Sequence, residues 1–274
     1  METKELIKAA LKEDIGSGDV TSNSVVPEDK TATAKIICKD SGVLCGIDLA
    51  KEIFLEADEG IKFEKFFSDG QKIKKGDILA KVTGKARAIL SAERTVLNFI
   101  QRLSGIATTA SKYVKLVEPY GVKILDTRKT SPLLRELEKY AVKTGGGMNH
   151  RMGLYDLVLI KDNHIKINGG IKSAVAKARE KYPDLKIEVE TENLDMVKEA
   201  LEADADWIML DNMPLEEMKK AVALINKKAK VEASGGINFK NIEETARTGV
   251  DFISIGSALT NASRSLDISI DVEF

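Results

Sequence analysis

The sequence lacks the features that mark several classes of protein. No apolar run approaches the roughly 20 residues that a membrane-spanning helix needs. The opening METKELIKAALKED has the pattern of an amphipathic helix rather than a signal peptide. With 42 basic and 43 acidic residues the net charge is −1, so no general field would attract nucleic acid or an anionic membrane. We therefore expect a cytoplasmic enzyme in which any anion-binding site is a local cluster of charges.

Cysteine is also scarce. Cys38 and Cys45 are separated by six residues, and no second pair follows them. This spacing argues against both a zinc site and a secreted fold built on disulfides. We expect two buried, reduced thiols.

The hydrophobic pattern divides the chain near residue 105. Residues 1–105 combine an amphipathic helix with short strand-like runs, which predicts a small mixed domain. In 106–262, apolar strands and charged helices alternate with roughly 20 to 35 residues between strand centres, the repeat of βα units. We predict an α/β barrel here, with a doubly wound sheet as the alternative, although no GxGxxG follows its first strand. The alternating run in 263–274 predicts a last strand that completes the first domain's sheet.

Polar and charged residues lie where the apolar strands of the second domain give way to loops. In a (β/α) barrel these carboxyl ends converge on one rim, so residues that are distant in sequence would share a pocket. The strand-end positions are Asp126 with Arg128, Lys161, Glu190, Asp211, Ser234 and Gly256.

A basic cluster between residues 128 and 161 is the densest of these features. Guanidinium groups bind carboxylates and phosphates through paired hydrogen bonds, and lysine adds a compact charge. We expect His150, next to Arg151 and a triple glycine, to donate to an anion rather than bind a metal. Lys161 ends a buried strand and needs a partner. The pattern of LLRELEKYAV, by contrast, predicts a helix with a solvated charged face of Arg135, Glu136, Glu138, Lys139 and Lys143.

Two further groups of residues complete the predicted rim. Glu190 and Asp211 end consecutive strands, where carboxylates can hold magnesium, directly or through water, or stabilise positive charge on a sugar. A simple salt bridge to a neighbouring lysine is an equally good reading of each residue alone. ASGGIN and SIGSAL end the last two barrel strands, where loop amides often bind phosphate. The residues of this predicted phosphate cradle are Ser234, Gly235, Gly256 and Ser257.

Several segments together resemble one known family. They are DTRKTSP, GGGMNHRMGLYDLVLIKDNH, EVETENL, LDNM, EASGGIN and IGSALT, with EDIGSGDVTS and ERTVLNFIQRLSGIAT nearer the start. In these motifs, and over nearly its whole length, the chain resembles bacterial quinolinate phosphoribosyltransferases. The resemblance implies an incomplete (β/α) barrel joined to a small N-terminal α/β sandwich, and a homodimer or higher assembly. It also implies transfer of phosphoribosyl from phosphoribosyl pyrophosphate to quinolinate with decarboxylation, a step of NAD biosynthesis.

The resemblance also implies a role for each site residue. Quinolinate would be held by Arg128, His150, Arg151 and Lys161, with Arg94 reaching the site from a neighbouring subunit. Thr127, Lys129, Glu190 and Asp211 would meet the phosphoribosyl donor, the last two holding Mg²⁺, and Ser234, Gly235, Gly256 and Ser257 would take the 5′-phosphate. The chain departs from the family pattern at Leu133, where glycine is usual, and at Asn261, where histidine is usual.

Two other functions fit part of the same pattern. A barrel aldolase could use Lys161 as a Schiff-base amine, if burial lowered its pKa. A transport-associated relative could keep the fold and lose the dicarboxylate clamp, but here the clamp positions are all present. Neither alternative uses both the arginines and the acidic pair of Glu190 and Asp211.

Overall fold

A computed structural model describes residues 2–261 and 263–273. Its strands are β1 (Thr31–Cys38), β2 (Gly42–Val43), β3 (Lys62–Lys65), β4 (Lys72–Ile73), β5 (Ile78–Lys85), β6 (Lys123–Leu125), β7 (Val158–Ile160), β8 (Ile187–Thr191), β9 (Trp207–Asp211), β10 (Lys230–Ser234), β11 (Phe252–Ser254) and β12 (Ile268–Glu273). Its helices are α1 (Thr3–Ile15), α2 (Val20–Val25), α3 (Ile47–Ala57), α4 (Ala86–Val117), α5 (Arg135–Thr144), α6 (Asp162–Asn168), α7 (Ile171–Lys181), α8 (Leu194–Glu202), α9 (Leu215–Ile225), α10 (Ile242–Ala246) and α11 (Ser257–Thr260). Among the described residues, no helix is both long and apolar enough to cross a membrane.

The chain forms two compact units. The first contains residues 1–111, 131–146 and 263–274, and the second contains 112–130 and 147–262. Residues 131–146 thus cluster with the first unit, whereas the sequence analysis included them in the barrel. Ala262 and Phe274, which end two of the predicted ranges, lie outside the described residues.

An antiparallel sheet with the order β12-β1-β5-β3 forms the framework of the first unit. Alternate residues of β1 are buried, as period-two alternation requires of a strand with one face on the core. The last strand, β12, pairs antiparallel with β1 from Thr33↔Glu273 to Cys38↔Ile268. Cys38 and Cys45 are buried free thiols, as expected, and burial raises the pKa of Cys45 to about 12.

The predicted solvated face of α5 is wrong for two of its five residues. The side chain of Glu138 is fully buried and Lys139 is 1% exposed. Glu138 accepts two hydrogen bonds from the guanidinium of Arg102, at 3.0 and 2.5 Å, and one from the Ser131 amide at 3.2 Å. A carboxylate can be buried at modest cost when it is paired in this way, and helical periodicity does not reveal a partner 36 residues away.

Parallel strands in the order β6-β11-β10-β9-β8-β7 form the sheet of the second unit. This is the circular order of a barrel opened between β6 and β7, because β7 to β11 follow one another in sequence and β6 lies beside β11. A doubly wound sheet would instead reverse its order at a switch point. The incomplete barrel is therefore confirmed. A single parallel bridge from Leu125 to Met148 lies at the open edge of β6.

Leu133 adopts a backbone conformation that favours glycine. Its φ is 65° and its side chain is 73% exposed. A left-handed conformation costs a branched residue about 1–2 kcal/mol, and few contacts of the exposed leucine offset that cost. Leu133 therefore has a backbone conformation that glycine would adopt without strain.

We expect Leu133→Gly to raise the free energy of unfolding by about 0.5–1 kcal/mol, because the relieved strain exceeds the added entropy of glycine. Denaturant titration measures the change. Leu154→Gly is the matched control, because Leu154 is also 73% exposed and has no positive φ. Equal effects of the two substitutions would show that Leu133 is not strained.

Candidate active site

A cavity of about 760 Å³ opens at the carboxyl ends of the parallel strands in the second unit. The predicted site residues that line it are Thr127, Arg128, Lys129, His150, Arg151, Lys161, Glu190, Asp211, Ser234, Gly235, Gly256 and Ser257. The barrel thus brings together residues from six strand ends, as the strand-end argument requires. Arg94 is not among the lining residues; it is exposed on the part of α4 that belongs to the first unit.

Strand register places Lys161 next to Glu190. The pairing of β7 with β8 ends at Ile160↔Val189. The residues that follow this pair, Lys161 and Glu190, therefore lie side by side at the cavity. The ammonium of Lys161 forms an ion pair with the carboxylate of Glu190. The partner that Lys161 was expected to need is therefore a predicted site residue.

Two guanidinium groups form the basic side of the cavity. The Nε atom of Arg128 is buried and has no hydrogen-bond partner among the described residues. Burial, together with the charge of Arg128, lowers the pKa of Arg151. An anionic ligand would relieve both conditions, since a carboxylate accepts paired hydrogen bonds from guanidinium and offsets its charge.

Two buried acids that the sequence pattern did not predict lie beside His150. Glu188 and Glu232 have fully buried side chains, and their Oε2 atoms lie 2.8 and 3.4 Å from Nε2 of His150. Burial lowers the pKa of His150, but the two carboxyls act more strongly in the opposite direction and raise it. Burial and the charge of Glu232 raise the pKa of Glu188. Each acid precedes a rim residue by two positions, so strand periodicity places it on the same inward face.

The glycine-rich loops that line the cavity have close backbone approaches. A Cβ on Gly235 would lie 2.2 Å from Oδ1 of Asn212, and the φ of Gly235 is 92°. A Cβ on Gly256 would lie 3.0 Å from Cδ of Lys129 and 3.4 Å from its Nζ. Glycine is therefore required at 235, and at 256 it leaves room for the lysine. This combination of loop amides with an ammonium group suits a phosphate.

Asp211 and Asn212 also line the cavity. The carboxylate of Asp211 accepts a hydrogen bond from the side-chain amide of Asn212 at 2.8 Å. Asn212 has a φ of 51°, which asparagine tolerates better than most residues. Its backbone N–H donates to the carbonyl of Ser234 at 2.9 Å, which joins the ends of β9 and β10. The sequence pattern predicted a site role for Asp211 but none for Asn212.

Both domains match models of one family. Residues 19–104 match the quinolinate phosphoribosyl transferase N-terminal domain, and 106–271 match the C-terminal domain of the same family.

Named relatives match along nearly their full lengths. The chain is 45% identical to a probable nicotinate-nucleotide pyrophosphorylase (carboxylating) of Bacillus subtilis, over 99% of this chain and 94% of the relative. It is 46% identical to a protein of the same name from Methanocaldococcus jannaschii, over 98% and 96%. A solved structure of the nicotinate-nucleotide pyrophosphorylase from Francisella tularensis superimposes with a TM-score of 0.95 at 44% identity, covering 99% of this chain and 96% of that one. The chain therefore belongs to the quinolinate phosphoribosyltransferase family.

Proposed function

We propose that this protein transfers phosphoribosyl from phosphoribosyl pyrophosphate to quinolinate, releasing pyrophosphate and CO₂ and forming nicotinate mononucleotide. The observation that carries the proposal is a single cavity that is lined by arginines and lysines, by a pair of rim carboxylates and by glycine-rich loops. A dicarboxylate and a sugar phosphate need these three surfaces at once. The reaction is the one that the names of its relatives describe.

The basic side is suited to hold the two carboxylates of the pyridine substrate. Arg128 and Arg151 offer planar donors, and Lys161 offers a point charge at the edge of the same surface. Arg128 contributes a buried Nε for which the described part of the chain offers no hydrogen-bond partner. Binding an anion there satisfies a polar group that otherwise remains desolvated and unpaired.

The two chemical steps require positioning and charge more than an acid or a base. In the first step, the pyridine nitrogen forms a bond to the anomeric carbon while the bond to pyrophosphate breaks, and nearby carboxylates stabilise positive charge on the sugar. In the second step, the carbon–carboxylate bond breaks, and its electron pair is stabilised by the cationic ring before a proton replaces CO₂. A pocket with many cations and two rim carboxylates, Glu190 and Asp211, fits this sequence.

We propose that Glu190 and Asp211 hold Mg²⁺, directly or through its waters. Carboxylate oxygens at the mouth of an anion-binding cavity are the donors that this ion prefers, and when bound it would offset the charge of pyrophosphate. Glu190 is ion-paired with Lys161 in the ligand-free chain. Lys161 would therefore exchange this partner for a substrate carboxylate when the site fills.

Removal of divalent cations should abolish activity, and added Mg²⁺ should restore it. Asp211→Asn should raise the Mg²⁺ concentration for half-maximal rate by at least about tenfold, because an amide oxygen is a weaker ligand for this ion than a carboxylate. Initial rates across a magnesium titration measure the shift. An unchanged magnesium dependence would remove Asp211 from the metal site.

We further propose that the protein works as a homodimer or a higher homo-oligomer in which Arg94 enters the neighbouring subunit's site. The exposed position of Arg94 on α4, outside the cavity lining, supports this reading. The aldolase alternative has less support, because a Schiff-base lysine must lose its proton, whereas Lys161 is ion-paired and 44% exposed. The non-catalytic alternative is disfavoured by the intact set of clamp residues.

Incubation with quinolinate, phosphoribosyl pyrophosphate and Mg²⁺ tests the proposed reaction. Chromatography with mass detection should show nicotinate mononucleotide in amounts that grow with time and with enzyme. Nicotinate in place of quinolinate tests the need for the second carboxylate. If no nucleotide product formed from quinolinate, the proposed reaction would be wrong.

A further inference from the structure

The loop that carries Arg151 into the cavity is held at its base by a buried carboxylate. Asp126, fully buried at the end of β6, accepts the backbone N–H of His150 at 2.9 Å. Its second oxygen accepts the side-chain amide of Asn149 at 2.6 Å. The main chain just before Arg151 is therefore fixed to the barrel.

The imidazole ring of His150 provides a second attachment. Its Nε2 lies 2.8 Å from a carboxylate oxygen of Glu188, and its Nδ1 accepts the backbone N–H of Arg151 at 2.8 Å. Both ring nitrogens thus have partners within the chain. The ring connects a fully buried acid on β8 to the main chain of a predicted substrate-binding arginine.

These contacts decide the tautomer of His150. The carboxyls of Glu188 and Glu232 favour a ring protonated on both nitrogens, but a proton on Nδ1 would face the Arg151 amide proton across 2.8 Å. Although burial opposes them, these two carboxyls raise the pKa of His150 to about 10. The direct hydrogen bond to Nδ1, however, fits only a ring that has no proton on that nitrogen. The hydrogen bond therefore favours a neutral ring with its proton on Nε2.

The same contacts argue against a metal ion at this position. Ligand atoms of His150, Glu188 and Glu232 lie within 4.8 Å of one another, close enough to share a cation. A metal-bound histidine, however, normally donates a hydrogen bond through its other nitrogen. Here Nδ1 accepts a hydrogen bond instead, so Nε2 carries the proton and has no lone pair for a metal.

We propose that Glu188 is a positioning residue for dicarboxylate binding: it fixes His150 as the Nε2–H tautomer, whose Nδ1 holds the main chain of Arg151. The guanidinium of Arg151 then stays beside Arg128 without a direct contact from Glu188. This inference rests on the proposed function, and it gives His150 an indirect role in place of direct donation to the substrate.

Substitutions at Glu188 separate positioning from a general effect on folding. Glu188→Ala should raise the KM for quinolinate by about tenfold, because the Nε2–H loses its nearer acceptor and keeps only the carboxylate of Glu232 at 3.4 Å, which holds the ring less firmly. The kcat should fall by less than about threefold, because no atom of Glu188 meets the reacting centre. Glu188→Gln keeps an acceptor oxygen and should restore most of the binding. Glu180→Gln, at an exposed glutamate of α7, is the control for loss of a carboxylate elsewhere.

Nitrogen-15 NMR of the unmutated protein tests the tautomer without any use of activity. The chain has two histidines, so His164→Gln assigns the signals of His150 by difference. We expect one protonated and one unprotonated ring nitrogen at neutral pH, retained in Glu188→Gln. Two protonated nitrogens would overturn the proposal even if the enzyme were active. So would an unchanged KM in a folded Glu188→Ala variant. The NMR result stands even if quinolinate proves not to be the substrate.

Discussion

Replacement of Arg128 by alanine should raise the KM for quinolinate by at least about 100-fold, which corresponds to a loss of about 3 kcal/mol of apparent binding free energy. The loss is large because a substrate carboxylate would enter a partly desolvated cavity without its paired donors, while Arg151 alone would carry the guanidinium charge. Steady-state kinetics at saturating phosphoribosyl pyrophosphate measure it. Calorimetric titration with quinolinate separates binding from turnover.

Two further variants make the result at Arg128 specific. The KM of Arg128→Lys for quinolinate should lie between that of the unmutated protein and that of Arg128→Ala, because lysine restores the charge but not the planar pair of donors. Arg247→Ala, at an exposed arginine of the same unit, should leave quinolinate binding unchanged. Near-normal quinolinate affinity in Arg128→Ala would overturn the placement of the dicarboxylate on the basic side.

Mixing two inactive variants, Arg94→Ala and Lys161→Ala, should restore about a quarter of the normal activity. If each site combines Arg94 of one subunit with Lys161 of the other, every mixed dimer has one intact site and one doubly altered site. Random exchange makes half of the dimers mixed, so one site in four would be intact. Activity should therefore rise from nearly zero to a level that is easy to measure.

Subunit exchange has to be shown independently. Isotopic labelling of one variant lets native mass spectrometry count the mixed assemblies, and each variant mixed with itself is the matched control. Full subunit exchange with no recovered activity would contradict a shared site. Activity in the Arg94→Ala variant alone would show that Arg94 is not needed for substrate binding.

The residues that line the cavity could be predicted from the sequence because the carboxyl ends of parallel barrel strands meet at one edge. Lys161 and Asp211 each follow an apolar run, Glu190 lies near the end of a strand with alternating apolar residues, and these patterns fix the strand ends that carry all three. The ion pair between Lys161 and Glu190 then follows from strand register. The terminal strand was predictable for a similar reason, because its alternation requires a sheet to join.

The buried polar residues could not be predicted, because their partners are distant in sequence. Glu138 has the local pattern of a solvated helix residue, and the hydrogen bonds from Arg102 and from the Ser131 amide make its burial favourable. Strand periodicity places Glu188 and Glu232 on the inward face of the barrel, but it does not identify the residue that they contact. Their shared contact with His150 appears only once the barrel is assembled.

The backbone conformation of Leu133, which stands where the family pattern has glycine, also could not be predicted from the sequence. The sequence shows that a leucine stands where glycine is usual, but only the φ of 65° shows that the leucine is in the left-handed region that favours glycine. Asn261, where the family pattern has histidine, caps the short helix α11 and is exposed. Nothing in the structure assigns it a ligand contact.

Quinolinate labelled in one carboxylate at a time gives the most direct test of the central claim. With the label on the carboxylate next to the ring nitrogen, we predict one labelled CO₂ for each nicotinate mononucleotide and each pyrophosphate formed. With the label on the other carboxylate, all of it should remain in the nucleotide. Nucleotide formation without CO₂, or CO₂ drawn from the second carboxylate, would contradict the account.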